Sequence, residues 1–97
     1  MVRSINNSQI QTLRRNINMV DGKQKIVNLV KENNRLTSAT ISQIGNDGKE
    51  YTEKNFHIGN NEFAKKQTEY IINKIRVLCD KAKDGIELFA DIMGWIK

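Results

Sequence analysis

Chemistry in this chain would have to come from a short inventory. His57 is the single histidine, and no histidine, cysteine or carboxylate pattern gives it metal-ligand company. It reads as an exposed or partly packed loop side chain. Cys79 is the only cysteine and falls among Ile75, Leu78 and Ala82, so it has no disulfide partner and reads as a small buried hydrophobe. Gly45-Asn46-Asp47-Gly48-Lys49 has the glycines and lysine of a phosphate loop, but the G-x-x-x-x-G-K-[ST] spacing is missing and Glu50 follows the lysine. Asp80, Asp84, Glu87 and Asp91 recur at helical spacing among Arg76, Lys81 and Lys83. A charge-balanced, solvated face accounts for them better than paired acid-base groups. No enzyme, cofactor or metal site is expected.

Charge gives a second signal. The chain of 97 residues carries 16 Lys and Arg against 11 Asp and Glu, and residues 1–35 hold seven of the cations against Asp21 and Glu32. A nucleic-acid or other anionic partner is the sharper reading of that bias. Because Arg14, Arg15, Lys23, Lys25, Lys31 and Arg35 are scattered without interleaved aromatics, a solvated helix face is preferred and nucleic acid is disfavoured. The length suits one domain. A hydrophobic share of 38% argues against wholesale disorder. No stretch reaches the roughly 20 apolar residues of a membrane span and no apolar leader opens the chain, so a cytoplasmic product is expected.

The elements that must position these residues are read as helices. The chain has no proline. From residue 61 onward Ile71, Ile75, Leu78, Ala82, Phe89, Ile92 and Ile96 return every three to four positions, interrupted at Gly85. Ser8-Gln9-Ile10-Gln11 has capping-box spacing, Asn6 is a second cap, and Ile10, Leu13, Ile17 and Val20 keep a similar rhythm. Asp21-Gly22 is a weak point in that first helix. Between the helical tracts, Asp47-Gly48 marks a turn near residues 45–48, in a segment that is either a short hairpin or an ordered loop. The expectation is an all-α antiparallel helical hairpin, with a helix over about 6–36, a connection over about 37–59 and a helix over about 60–96. Such a hairpin would pair into a bundle with a partner or with itself. The candidate partner-binding residues are Ile71, Ile75, Leu78, Ala82, Phe89, Ile92, Trp95 and Ile96, with Trp95 as an anchor at the helix end.

Two resemblances sharpen this expectation. Val2-Arg3-Ser4 at the start, Gly59-Asn60 ahead of the second tract, and Phe89 followed by Asp91, Ile92 and Ile96 resemble the small WXG-like helical hairpins of bacterial type VII secretion. The likeness is greatest to the accessory partners of LXG toxins. No Trp-x-Gly occurs in the connection, and Met93 takes the place of the aspartate in the terminal pattern of those partners. The resemblance implies a non-catalytic targeting factor or chaperone that binds the helical N-terminal domain of a larger toxin or a second small helical protein, and that is secreted with it. A homodimer is the plainer alternative. Separately, Lys25 to Thr37 followed by Ile41 and Ile44 is similar to the first two helices of winged-helix regulators, which implies a small DNA-binding protein with a C-terminal dimerisation helix. Asp47, Glu50 and Glu53 would then face phosphates, which argues against that use.

Overall fold

A computed structural model describes residues 9–97; Val2-Arg3-Ser4 and the expected caps Asn6 and Ser8 lie outside the described residues. The all-α hairpin is overturned. Four strands, β1 (Ile10–Asn18), β2 (Gln24–Glu32), β3 (Arg35–Ile44) and β4 (Glu50–His57), precede two helices, α1 (Ala64–Asp80) and α2 (Gly85–Ile96). The strands form one antiparallel sheet in chain order, β1-β2-β3-β4. The helices cover one face of it, and the core lies between.

The described part of the expected helix over 6–36 is instead the strand pair β1 and β2 and the start of β3, and the reason lies in its odd-numbered residues. Leu13 and Ile17 on β1, Val27 and Leu29 on β2, and Ala39 and Ile41 on β3 are all buried in one cluster. They are joined across the sheet by the pairings Leu13↔Leu29, Leu29↔Ala39 and Val27↔Ile41. This is a two-residue period, disguised by cations on the same face. Arg15 lies between Leu13 and Ile17 and its Nε reaches Asp91 of α2 at 2.7 Å. Lys31 follows Leu29, is buried, and donates from Nζ to the Trp95 carbonyl oxygen at 2.6 Å. A helical rhythm emerges once these two positions are counted as polar.

Turn chemistry points the same way. Asn33 and Asn34 have φ of 54° and 65°, the left-handed pair that a two-residue hairpin turn of type I′ requires, and Glu32 pairs directly with Arg35. Lys25 to Thr37 is therefore strand, turn and strand, not the opening of a helix-turn-helix. The turn expected near 45–48 is present and joins β3 to β4. Gly45 N–H donates to the Lys49 carbonyl at 2.8 Å, and Gly48 holds φ at 80°, where a side chain is strained. Of the two readings of residues 37–59, the hairpin is the one realised, and it belongs to a sheet.

The tract over 60–96 is helical but not continuous. Strands of nine residues span about 30 Å, whereas an unbroken helix over this tract would run roughly 50 Å and overhang the sheet. The chain doubles back instead. A Cβ on Gly85 would lie 1.8 Å from the Cys79 carbonyl oxygen, so α2 starts in contact with the end of α1 at a place only glycine can occupy. The linker docks on the end of β1 and the turn after it: Val20 N–H donates to the Lys81 carbonyl and Lys83 N–H to the Asn18 carbonyl, both at 2.9 Å. Neither helix is long and apolar enough to cross a membrane.

The uncovered face of the sheet is polar. Arg14 of β1 and Glu50 of β4 meet across it at 2.5 Å, although edge strands of a flat four-stranded sheet lie about 14 Å apart. The sheet therefore twists and curls toward this face. Ile26 and Ser42, paired in register, are buried there without belonging to the helix-side core.

Candidate functional site

Helix α1 has two working faces. Ile71, Ile75 and Cys79 are buried against the sheet. Tyr70, Lys74, Val77 and Lys81 recur three to four residues apart on an adjacent stripe, which borders the sheet beside β4. Between that stripe, β4 and the turn after β1 lies a cleft of about 360 Å³. Its apolar lining is Met19, Ile41, Val77 and Leu78, and Val77 is 54% exposed.

Lysines dominate the rim. Lys23 and Lys25 come from the β1–β2 turn and the start of β2, Lys54 from β4, Lys74 from α1 and Lys81 from the position that caps it; they face two carboxylates, Asp21 and Glu53. Both carboxylates are engaged. Glu53 Oε1 pairs with Lys25 Nζ at 2.8 Å, and Asp21 Oδ1 accepts the Lys23 backbone N–H at 2.9 Å. Lys23, Lys54, Lys74 and Lys81 make no ion pair among the described residues. Like charges converging on one cleft repel each other, and an anion seated among them relieves that repulsion.

The residues singled out from sequence are placed otherwise. Ile71, Ile75 and Ile92 are buried, and Leu78, Ala82, Phe89, Trp95 and Ile96 are partly buried against the same core, so this stripe faces the chain's own sheet. Trp95 sits over Lys31, with Nζ 4.4 Å from the ring centre. Cys79 is buried, and burial, with Asp80 adding to it, pushes its thiol up to about 11, so it stays protonated at neutral pH. Asp91 pairs with Arg15, while Asp80, Asp84 and Glu87 line the elbow between the helices together with Arg76 and Lys83. His57 borders an aromatic cavity at the far end of β4. No group of three or more histidine, cysteine or carboxylate side chains is gathered for a metal among the described residues.

The lysine cleft is absent from the sequence reading because its members come from four separate elements. The basic first third contributes only Lys23 and Lys25 to it. A usable signal did exist in Lys66-Tyr70-Lys74-Val77-Lys81, a basic and aromatic stripe at helical spacing beside the apolar one. No family model, no curated protein and no solved structure matches the chain.

Proposed function

We propose that the chain is a non-catalytic nucleic-acid-binding module, and that the cleft between α1 and β4 receives backbone phosphates. The observation that carries this reading is the convergence of Lys23, Lys54, Lys74 and Lys81, unpaired among the described residues, on a cleft whose two carboxylates already have partners. Lysine suits the task as a compact, mobile point charge that accepts any phosphate orientation. Phosphates contacted in this way position a strand without reading its sequence.

Fluorescence anisotropy with a labelled oligonucleotide across a salt series tests the proposal. Four phosphate contacts give a log–log salt slope of about −2.8 for a single strand, so a fourfold rise in salt weakens binding about fiftyfold. The double substitution Lys74→Gln, Lys81→Gln halves the slope. A protein that binds no oligonucleotide at low salt, or a double variant with an unchanged slope, rules the cleft out.

A further inference from the structure

Lys74 belongs to two places at once. It lines the lysine cleft, and its Nζ stands 5.1 Å from the centre of the Tyr70 ring, which borders a second cavity of about 380 Å³. Phe56, Phe63 and Tyr70 supply aromatic walls there, with Lys66 and Gln67 beside them. The Phe56 and Tyr70 rings meet edge to face, 5.9 Å between centroids and 76° between planes, which holds Tyr70 in place from one side. Even so, Tyr70 is 53% and Phe63 59% exposed. Large aromatic surface left open at the mouth of a cavity marks a binding surface more often than chance.

The two cavities lie in one line. On β4, Lys54 lines the first, and Phe56, two residues on and hence on the same face, lines the second. Along α1 and its two capping residues the order matches, with Lys81 and Lys74 at the first and Tyr70 and Phe63 at the second. Both walls thus pass from lysine to ring in the same order, with Lys66 standing beside the rings. Resting on the reading of the lysine cleft as a phosphate channel, we infer that the aromatic cavity receives a nucleobase, so that the ligand is a single strand and not a duplex. A duplex keeps its bases stacked inside and cannot offer one to Tyr70 and Phe63, whereas an unpaired base has an open π-face that any aromatic wall accepts. Gln67 lines the same cavity, and its amide oxygen, closed off from solvent, has no hydrogen-bond partner among the described residues. From Phe63 to Lys81 the helix side of the groove runs about 27 Å, room for on the order of four nucleotides, at the low end of single-strand site sizes.

The experiment compares three labelled probes with equal numbers of phosphates: a single strand, the same strand made abasic, and a duplex. Each is titrated by anisotropy against the full chain and its Tyr70→Ala and Phe63→Ala variants, with circular dichroism confirming the fold of each. The native chain should bind the normal strand about fivefold to a hundredfold more tightly than the abasic one. Tyr70→Ala should erase that difference while leaving abasic binding and its salt slope unchanged; Phe63→Ala, at the more exposed ring, serves if the first variant does not fold. Equal binding of normal and abasic strands, or a duplex bound as tightly as the single strand, overturns the nucleobase site while leaving the phosphate channel standing. Failure of every probe to bind at low salt sinks both.

Discussion

Replacing Gly85 and Gly94 by alanine, one at a time, gives two chemically identical changes in α2 whose effects should have opposite sign. Alanine is favoured over glycine in a helix by roughly 1 kcal/mol, and it restricts the unfolded chain as well. At Gly94 nothing lies within 4 Å of the added Cβ, so this gain is unopposed and the variant should be more stable by about 0.5–1 kcal/mol. At Gly85 the added Cβ would lie 1.8 Å from the Cys79 carbonyl oxygen and 2.8 Å from its carbon. Both are backbone atoms of the last turn of α1, so no side chain can swing away. The helix elbow must open, which strains the 2.9 Å hydrogen bonds that pin residues 81 and 83 to the end of β1 and the turn after it and loosens Ile92 against the core. Overpacking of this kind costs about 1–3 kcal/mol and sometimes more, enough to reverse the propensity gain. Thermal denaturation followed by far-ultraviolet circular dichroism measures both variants. Gly94→Ala should raise the melting temperature by about 2–6 °C and Gly85→Ala should lower it by about as much or more. If both variants are stabilised to the same extent, the close approach at Gly85 is wrong, and with it the account of why the C-terminal tract folds back.

Two further predictions concern charge. Lys31→Met keeps the aliphatic stem against the core but removes the donor to the Trp95 carbonyl and the cation over the indole. It should cost about 1–2 kcal/mol and shift Trp95 fluorescence, and a more stable variant would show that the buried cation is a burden the fold tolerates. Hydrogen bonding from Arg14, with its charge, holds the Glu50 carboxyl below the ordinary value of 4.5. A depressed value means that the pair's contribution is present above pH 4.5 and lost as pH falls through the folded-state value, so Glu50→Gln should flatten the acid limb of stability while changing little at pH 7. A variant with an unaltered acid limb would remove the Arg14 bridge from any account of sheet curl.

What could be read from the sequence depended on whether cations stood on polar or apolar faces. On α1 and α2 the cations lie off the core stripe, so the 3.6-residue period of Ile71, Ile75, Leu78 and Ile92 was plain and these tracts are helical. On β1 and β2, Arg15 and Lys31 lie on the core face, because each meets a partner on α2 that no local pattern announces. The strand period was hidden by tertiary contacts made dozens of residues away. Asn33-Asn34 was a local sign that went unused: asparagine tolerates positive φ, and two in succession between β-branched runs form a hairpin turn as Asn-Gly would. Gly85 was seen as an interruption of the stripe, but only the contact with Cys79 shows that it is the point of reversal. The lysine cleft was out of reach for another reason. Adding charges along the chain places the basic excess in the first third, whereas the folded chain gathers lysines from residue 23 to residue 81.

The placement of that cleft follows from helix geometry rather than from any special segment. Successive helical residues turn by about 100°, so Tyr70 and Lys74 stand roughly a quarter-turn from Ile71 and Ile75, at the boundary between core and solvent. A boundary stripe on a helix lying over a sheet must look along the sheet toward the nearest strand, here β4, whose Lys54 and Phe56 point back at it. β4 is an edge strand, paired only with β3. Among the described residues nothing beyond it closes the space, so helix and edge make an open groove where two interior strands would make a core. The same arrangement guards the exposed edge, since Glu50, Glu53 and Lys54 set charges of both signs along β4 and discourage pairing with a strand of another molecule. That open, lysine-rimmed groove is the surface to which the proposed strand of phosphates and bases is assigned.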